Sequence, residues 1–446
     1  MRLRLIDGTS LPEFRAEARV EILGSTTSGP LFITGHQPEL SHPGVWVKNF
    51  AACGAARRLH GTLLNLIVDN DTLKSTTIRV PTGIGSDPAA VHLQSVPYDA
   101  FSGEEPYETR RIRDRELFNS FADRVGESTA NWGYEPLLNR VWPSIVANPA
   151  PTLGERFSTV RQEWERAWGC ENREVGVSRL ARSIAFRRFA QHLAADLPRF
   201  GNVYNAAVRA YRKAHGLRSR SHPVPELQAG EAPFWIVDPN AARRAWFPAN
   251  EIAPDSLRPR ALTLTLFARV CLGDFFLHGI GGGKYDEVTD TIIRDYFGLA
   301  PPAYQVLSAT LHLPLPTFSA TTADVQKLER LARDLVWNPQ RHLEKETVVF
   351  PSAKDSASAV AEEKARIAAS EPTDRLARKD WFHHLRMLTN ELQPHVRGRL
   401  HDANGQLEKA KAEVAASAAM QRRDFPWVLY PEAMLKAFFR PFCEPR

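Results

Sequence analysis

The chain is poor in the features that most often announce a function. Its 446 residues include four cysteines, Cys53, Cys170, Cys271 and Cys443, far apart and with no CxxC pair. Such spacing argues against a disulfide framework or a zinc knuckle. Reduced thiols in a cytoplasmic protein, with no metal ligand set, are the expectation. Long hydrophobic runs are missing: the most apolar window, 261–280, is broken by Arg269 and Asp274 and is too polar to span a bilayer. Residues 1–7 lack an apolar stretch of the secretory type, so no signal peptide and no membrane partner are expected. Lys and Arg form no block of the length of a nucleic-acid arm, and RNP-like, C2H2 and basic-zipper patterns are absent. The net charge of +6, with a pI near 9.2, fits an anionic small molecule as well as nucleic acid. Without those patterns no nucleic-acid partner is expected. No Ser-His-Asp or Cys-His arrangement follows from spacing.

What is present is an ordinary globular composition, 43% hydrophobic and 24% charged, in a chain long enough for two or three domains. Residues 31–34 and 63–69 read as buried strands, the second a near-continuous apolar run of the kind a parallel sheet buries on both faces. Residues 46–60 between them carry apolar positions at helical spacing, which completes a βαβ unit. Residues 105–200 read as mainly helical, 215–233 as a Pro- and Gly-rich loop, and 233–238, 274–278 and 303–308 as strands. Arg258 to Leu266 suits either a strand or the start of a helix. Ile280 to Tyr285 reads as a glycine-rich turn before an amphipathic helix over 286–297. From 324 to 420 the pattern is helix-rich. Leu385, Leu388, Leu392, Val396, Leu400 and Leu407 share one face of a long helix, which Pro394 is expected to kink. The reading is an α/β fold. A Rossmann-like parallel sheet core is flanked by helices, and a coiled-coil-like C-terminal arm follows. The segments are 1–104 (first half of the core), 105–232 (helical insertion), 233–323 (second half of the core) and 324–446 (arm and terminal helices).

Three constellations carry candidate chemistry. The first is the strand-to-helix loop with Gly35, His36, Gln37, His42, Gly44 and Lys48. Free N–H groups at a helix start, glycines that let a phosphate approach, and imidazole or ammonium groups suit phosphate binding and transition-state charge. Capping of a loop by the two histidines is the plainer alternative. The second is Asp69 and Asp71, whose carboxylates at a strand end suit Mg2+, a ribose or an amine, or simply a turn. The third is His278, Gly279, Gly281, Gly282, Gly283, Lys284 and Tyr285. It matches neither a Walker A nor a full GxGxxG. Its glycine density calls for positive φ or close approach, in a phosphate cradle or in a tight turn. Arg258 and Arg260 suit either phosphate or a solvated strand edge.

In this order the three constellations resemble the cysteine-adding enzyme family of bacillithiol biosynthesis. Thr34-Gly35-His36-Gln37 is similar to that family's Thr-Gly-Gln-Gln-type loop, and Asp69 and Asp71 to its acidic pair. Arg258-Pro259 is similar to its Arg-Pro element, and Gly279 to Tyr285 to its glycine loop. Residues 324–420 are similar to its helical arm. His at position 36 and the added His42-Pro43-Gly44 depart from that pattern. The His36-Gln37-Pro38 opening also resembles the WbqC-like family. The resemblance implies a core related to HIGH-type nucleotidyltransferases and class I synthetases, with ATP or ADP as cofactor and Mg2+ possible. It implies a small-molecule amine or amino-sugar substrate and a homodimer formed through 324–420.

On this reading the expected activity is that of a nucleotide-dependent ligase or transferase. His36, His42, Asp69 and Asp71 act at the reacting groups, and the glycine loop holds the nucleotide. A non-catalytic nucleotide- or sugar-binding protein that keeps the pocket is the alternative.

Overall fold

The computed structural model describes residues 5–6, 8–27, 29–237, 243–248, 254–343 and 352–444. Residues 1–4, Asp238 at the end of an expected strand, and 344–351 of the expected arm lie outside them. Two units emerge. One comprises 1–80, 94–314 and 423–446, and the other 81–93 and 315–422. The segment 324–446 is thereby divided, because its last residues pack with the first unit.

A five-stranded parallel sheet organises the first unit. Its strands are β1 (Leu31–His36), β2 (Thr62–Ile67), β3 (Arg173–Gly176), β4 (Phe275–His278) and β5 (Tyr304–Val306). They are ordered β5-β4-β1-β2-β3, all neighbours parallel. This is the doubly wound, Rossmann-like order, in which connections reverse direction between β1 and β4. Ligands of such sheets bind at that reversal, beyond the carboxyl ends of the strands.

The helices follow from local sequence. In α1 (Leu11–Leu23), Ser10 and Glu13 form a capping box, and Gly24 closes the helix at φ 71°. Helix α2 (Pro43–Arg58) has His42 at its N-cap and Pro43 in its first turn. Helix α3 (Leu153–Ala167) opens on a Thr152–Glu155 capping box. Helix α4 (Ile184–Ala195) is capped by Ser183.

Strand alternation sorts side chains onto two faces. Leu31, Ile33, Leu64 and Leu66 enter one core with Phe14 of α1, Phe186 and Phe189 of α4, and Phe267. Each such burial is worth roughly 1.5–3 kcal/mol. The opposite face is polar at its centre, which the apolar reading of these strands does not anticipate. Thr34 Oγ1 donates toward Asn49 Oδ1 (3.2 Å) and Asn65 Oδ1 (3.0 Å). Beneath them the fully buried Glu165 of α3 accepts from Trp46 Nε1 (2.5 Å), Asn49 Nδ2 (2.7 Å), Arg161 (2.5 Å) and Asn172 Nδ2 (2.6 Å). Arg161 and Asn65 also bind Glu174 of β3, at 2.5 and 2.7 Å. A charge buried this deeply persists because its lone pairs are filled and a guanidinium opposes it.

One expectation changes and one open alternative is resolved. The glycines at 281–283 are not a turn: they form the start of α5 (Ile280–Ile292), with Gly279 as N-cap. None of these four glycines has positive φ. Close approach accounts for two of them. A Cβ at Gly282 would lie 2.7 Å from His278 Nδ1, and one at Gly283 would lie 2.1 Å from Val306 Cγ2. Residues 257–266 hold both expected alternatives in succession, a strand (Leu257–Pro259) and then a helix (Ala261–Leu266).

In the second unit α6 (Thr322–Trp337) packs along α7 (Arg375–Met420), which runs unbroken through Pro394. Leu388, Leu392, Val396 and Leu407 are buried, as the periodicity predicts, and Leu385 and Leu400 are half-buried. Residues 423–431 and α8 (Glu432–Cys443) return to the first unit, where Phe439 stacks on Phe50 of α2 at 4.1 Å. Among the described residues no helix is long and apolar enough to cross a membrane.

Glu165→Gln keeps the shape of the side chain but points an amide N–H at a donor and leaves Arg161 partly uncompensated. Its expected cost is about 3 kcal/mol, read by urea denaturation. A loss below about 1 kcal/mol would show that the network does not hold these elements together.

Candidate functional site

The three constellations lie at the carboxyl ends of β1, β2 and β4, three adjacent strands. The first and third meet at Lys48. This residue sits on the second turn of α2 and is 4% exposed. Its Nζ donates to the Gly35 carbonyl at 2.9 Å, and a Cβ placed on Gly279 would lie 3.8 Å from the same Nζ. An ammonium group thus occupies the gap between β1 and β4, beside the start of α5. Burial pushes the Lys48 pKa down to about 8, and among the described residues no carboxylate acts against it. Gly44 answers a second close approach, since a Cβ there would lie 1.9 Å from the Ala309 carbonyl oxygen.

The histidines divide in role. His36 Nδ1 lies 2.8 Å from the Gln37 carbonyl, so this nitrogen carries the proton and Nε2 is left as an acceptor, 3.7 Å from Glu39 Oε1. Burial and the Lys48 charge hold His36 well below the ordinary imidazole range. A neutral His36 in this tautomer presents no N–H to a phosphate, and the positive charge at this loop is that of Lys48. His42 Nδ1 accepts from Gly44 N at 3.1 Å, which is the capping alternative and leaves its Nε2 as the donor. Burial and then Arg423 lower its pKa.

The acidic pair also separates. Asp69 turns under β3, where it accepts from Ser178 N (2.8 Å) and Oγ (2.5 Å). Burial pushes it up to about 6 against those two bonds. Asp71 faces the first loop instead and accepts from Gln37 Nε2 at 2.9 Å. A cleft of about 530 Å³ opens there, lined by Gln37, Glu39, Asp71, Lys74, Arg79 and Tyr107 among others. Tyr107 hydrogen-bonds Glu39, whose carboxyl is raised by burial and by Asp71.

The remaining expected residues play other parts. His278 is buried against Asp286, and Asp286 lies 3.3 Å from Arg269. Lys284 is exposed on α5, and Tyr285 is half-buried against the core. Gly281 has open space beside it. Arg258 and Arg260 are not on a solvated edge: they pair with Glu108 (2.7 Å) and Glu231 (2.5 Å) in buried contacts. Sequence reasoning missed Glu39, Tyr107, Arg161 and Glu165. For Arg161 and Glu165 the i,i+4 spacing was a signal, but it looks the same on a solvated helix face.

Asp69 carries a pH prediction. Its folded pKa of about 6 exceeds the unfolded value near 3.9. The folded state therefore holds an extra proton between about pH 4 and 6, and stability from this group falls as pH rises through that window. Asp69→Asn removes the slope. Its unfolding free energy relative to the parent is expected to rise by about 2–3 kcal/mol between pH 4 and 7. Parallel stability curves would contradict the burial cost.

No family model matches the chain, and no curated protein matches it. Among solved structures, Plasmodium falciparum tryptophanyl-tRNA synthetase aligns over 93% of this chain and 95% of its own, at 8% identity and a TM-score of 0.23. At that similarity nothing is carried from the synthetase to this chain.

Proposed function

We propose that the chain binds a nucleotide at the β1–β4 reversal and uses it to activate an acid for attack by an amine. The observation that carries this reading is Lys48, a buried ammonium with no carboxylate partner among the described residues, at the strand reversal where such sheets bind ligands. Its drop from 10.5 to about 8 corresponds to about 3 kcal/mol held against the charged form. An anion seated beside it would recover much of that. Phosphate oxygens suit the place, because the N–H groups at the start of α5 add to the Lys48 charge.

The adjoining cleft supports the second half of the reading. Lys74 and the Asp424-paired Arg79 also line it, and Gln37, Glu39 and Asp71 offer carboxylates and one amide that suit the ammonium of an amine or amino-sugar acceptor. The resemblance to the cysteine-adding enzymes makes cysteine the first acid to test. Mg2+ would arrive on the nucleotide phosphates. Asp71 is already hydrogen-bonded to Gln37 and to Thr72 N, so no step is assigned to the metal here. The same reading includes a homodimer through 324–420, where Trp337, Leu376, Phe382 and Met387 are exposed apolar side chains.

Calorimetric titration with ATP, ADP and AMP, with and without Mg2+, tests the site. Saturable binding is expected near neutral pH, weakening as pH rises through about 8 and Lys48 loses its proton. Lys48→Met should weaken binding at pH 7 by about tenfold or more, abolish that pH dependence and raise the stability of the unliganded protein. Binding that is equal in parent and variant would overturn the assignment. Saturable binding without amine-dependent ATP turnover would leave a binding protein. For the dimer, light scattering of Leu376→Asp/Phe382→Asp should show half the parent mass, and an unchanged mass would remove that part of the reading.

A further inference from the structure

The fold gathers three of the four cysteines from remote parts of the chain. Cys53 lies on α2, Cys170 follows α3, and Cys443 ends α8. All three are free and buried, at 2%, 0% and 4% exposure. Their sulfurs lie within 4.8 Å of one another. Cys271 is buried elsewhere and takes no part. The convergence depends on Gly54, next to Cys53. A Cβ there would fall 2.0 Å from the Phe442 carbonyl oxygen, so only glycine lets the end of α8 come this close to α2.

We propose that Cys53, Cys170 and Cys443 form a binding site for a thiophilic d10 cation, Zn2+ or Cu+. Metal–sulfur bonds of about 2.3 Å place three sulfurs about 3.8–4.0 Å apart, so the cluster needs to contract by less than about 1 Å. Among the described residues no histidine or carboxylate joins the group, and an all-sulfur set selects soft ions over Mg2+ or Ca2+. Binding exchanges three S–H protons for one metal ion and involves no electron transfer. With Zn2+ the three thiolates leave one net negative charge, which faces the Arg57 guanidinium. The Cys170 and Cys443 thiols donate to the carbonyl oxygens of Asn49 and Phe50, at 3.5 and 3.6 Å, and the metal–sulfur bonds would replace these two weak bonds. The ion would join the end of the chain to the helix that carries Lys48. Its role is structural, because the cluster lies behind α2 and outside the cleft.

The full chain, purified reduced and without chelator, should carry about one equivalent of zinc or copper by elemental analysis. Removal of that metal should lower the melting temperature. Cd2+ added to the metal-free protein should give sulfur-to-cadmium charge-transfer absorption that saturates at one equivalent. Cys53→Ser and Cys170→Ser should lose the metal while near-ultraviolet circular dichroism stays native, and Cys271→Ala should retain it. The titration of the unaltered protein decides the matter even where a variant does not fold. No metal and no charge-transfer band would overturn the proposal and leave a cluster of core thiols. Undiminished metal in Cys53→Ser and Cys170→Ser would overturn it as well.

Discussion

Much of the first unit rests on one buried carboxylate. Glu165 accepts from Trp46 and Asn49 of α2, from Arg161 one turn earlier in its own helix, and from Asn172 at the approach to β3. A leucine in its place would pack against any neighbour of suitable volume, and α2 could then slide by part of a turn. A carboxylate with four fixed donors has one arrangement that satisfies it, so it sets the rotation and axial position of α2. That position aims Lys48 at Gly35 and Gly279 and brings Gly44 against Ala309. The network is thus a positioning device for the site, and it lies one layer below the residues expected to touch a ligand.

The fold was legible where burial imposes a simple pattern. The short apolar runs at 31–34 and 63–69 read as buried strands, and the helical spacing between them made their parallel pairing the natural outcome. The stripe from Leu388 to Leu407 was legible for the same reason. Other parts were not, because their determinants are distant in sequence. Glycines at 281–283 suggest a turn until His278 and Val306 are seen pressed against them. Arg161 and Glu165 look like a solvated pair until Trp46, Asn49 and Asn65 close over them. The three cysteines are uninformative by spacing, since their convergence depends on a close helix contact at Gly54.

The candidate site divides along the same line. Loop residues that act through their backbone, such as Gly35 and Gly279, could be located from strand ends and helix starts. Side-chain roles could not, because each depends on which partner arrives first. Asp69 and Asp71 are two residues apart and of one chemical type, yet one meets Ser178 at the head of the next helix and the other meets Gln37. His36 and His42 differ in the same way: one keeps its Nδ1 proton for a carbonyl, and the other uses Nδ1 as an acceptor. Two histidines in one loop thereby present opposite hydrogen-bonding faces.

Lys48 is a buried lysine with no carboxylate partner among the described residues, whereas several other buried cations of the chain are paired. Arg110 pairs with Asp99, Arg258 with Glu108, Arg260 with Glu231, and Arg269 with the buried Asp286 and the partly exposed Asp290, while the buried Arg156 and Lys364 donate to neutral oxygens. Lys48 is equally buried, and its bond goes to a neutral carbonyl. Uncompensated charge of this kind persists at sites where a ligand supplies what the fold withholds. A carboxylate beside Lys48 would stabilise the empty protein and compete with any anion for the same ammonium. Leaving it out keeps the charge available and makes part of the folding free energy conditional on the ligand. A compact ammonium also suits this narrow gap between two strands better than a guanidinium, whose planar fork needs several acceptors at fixed angles.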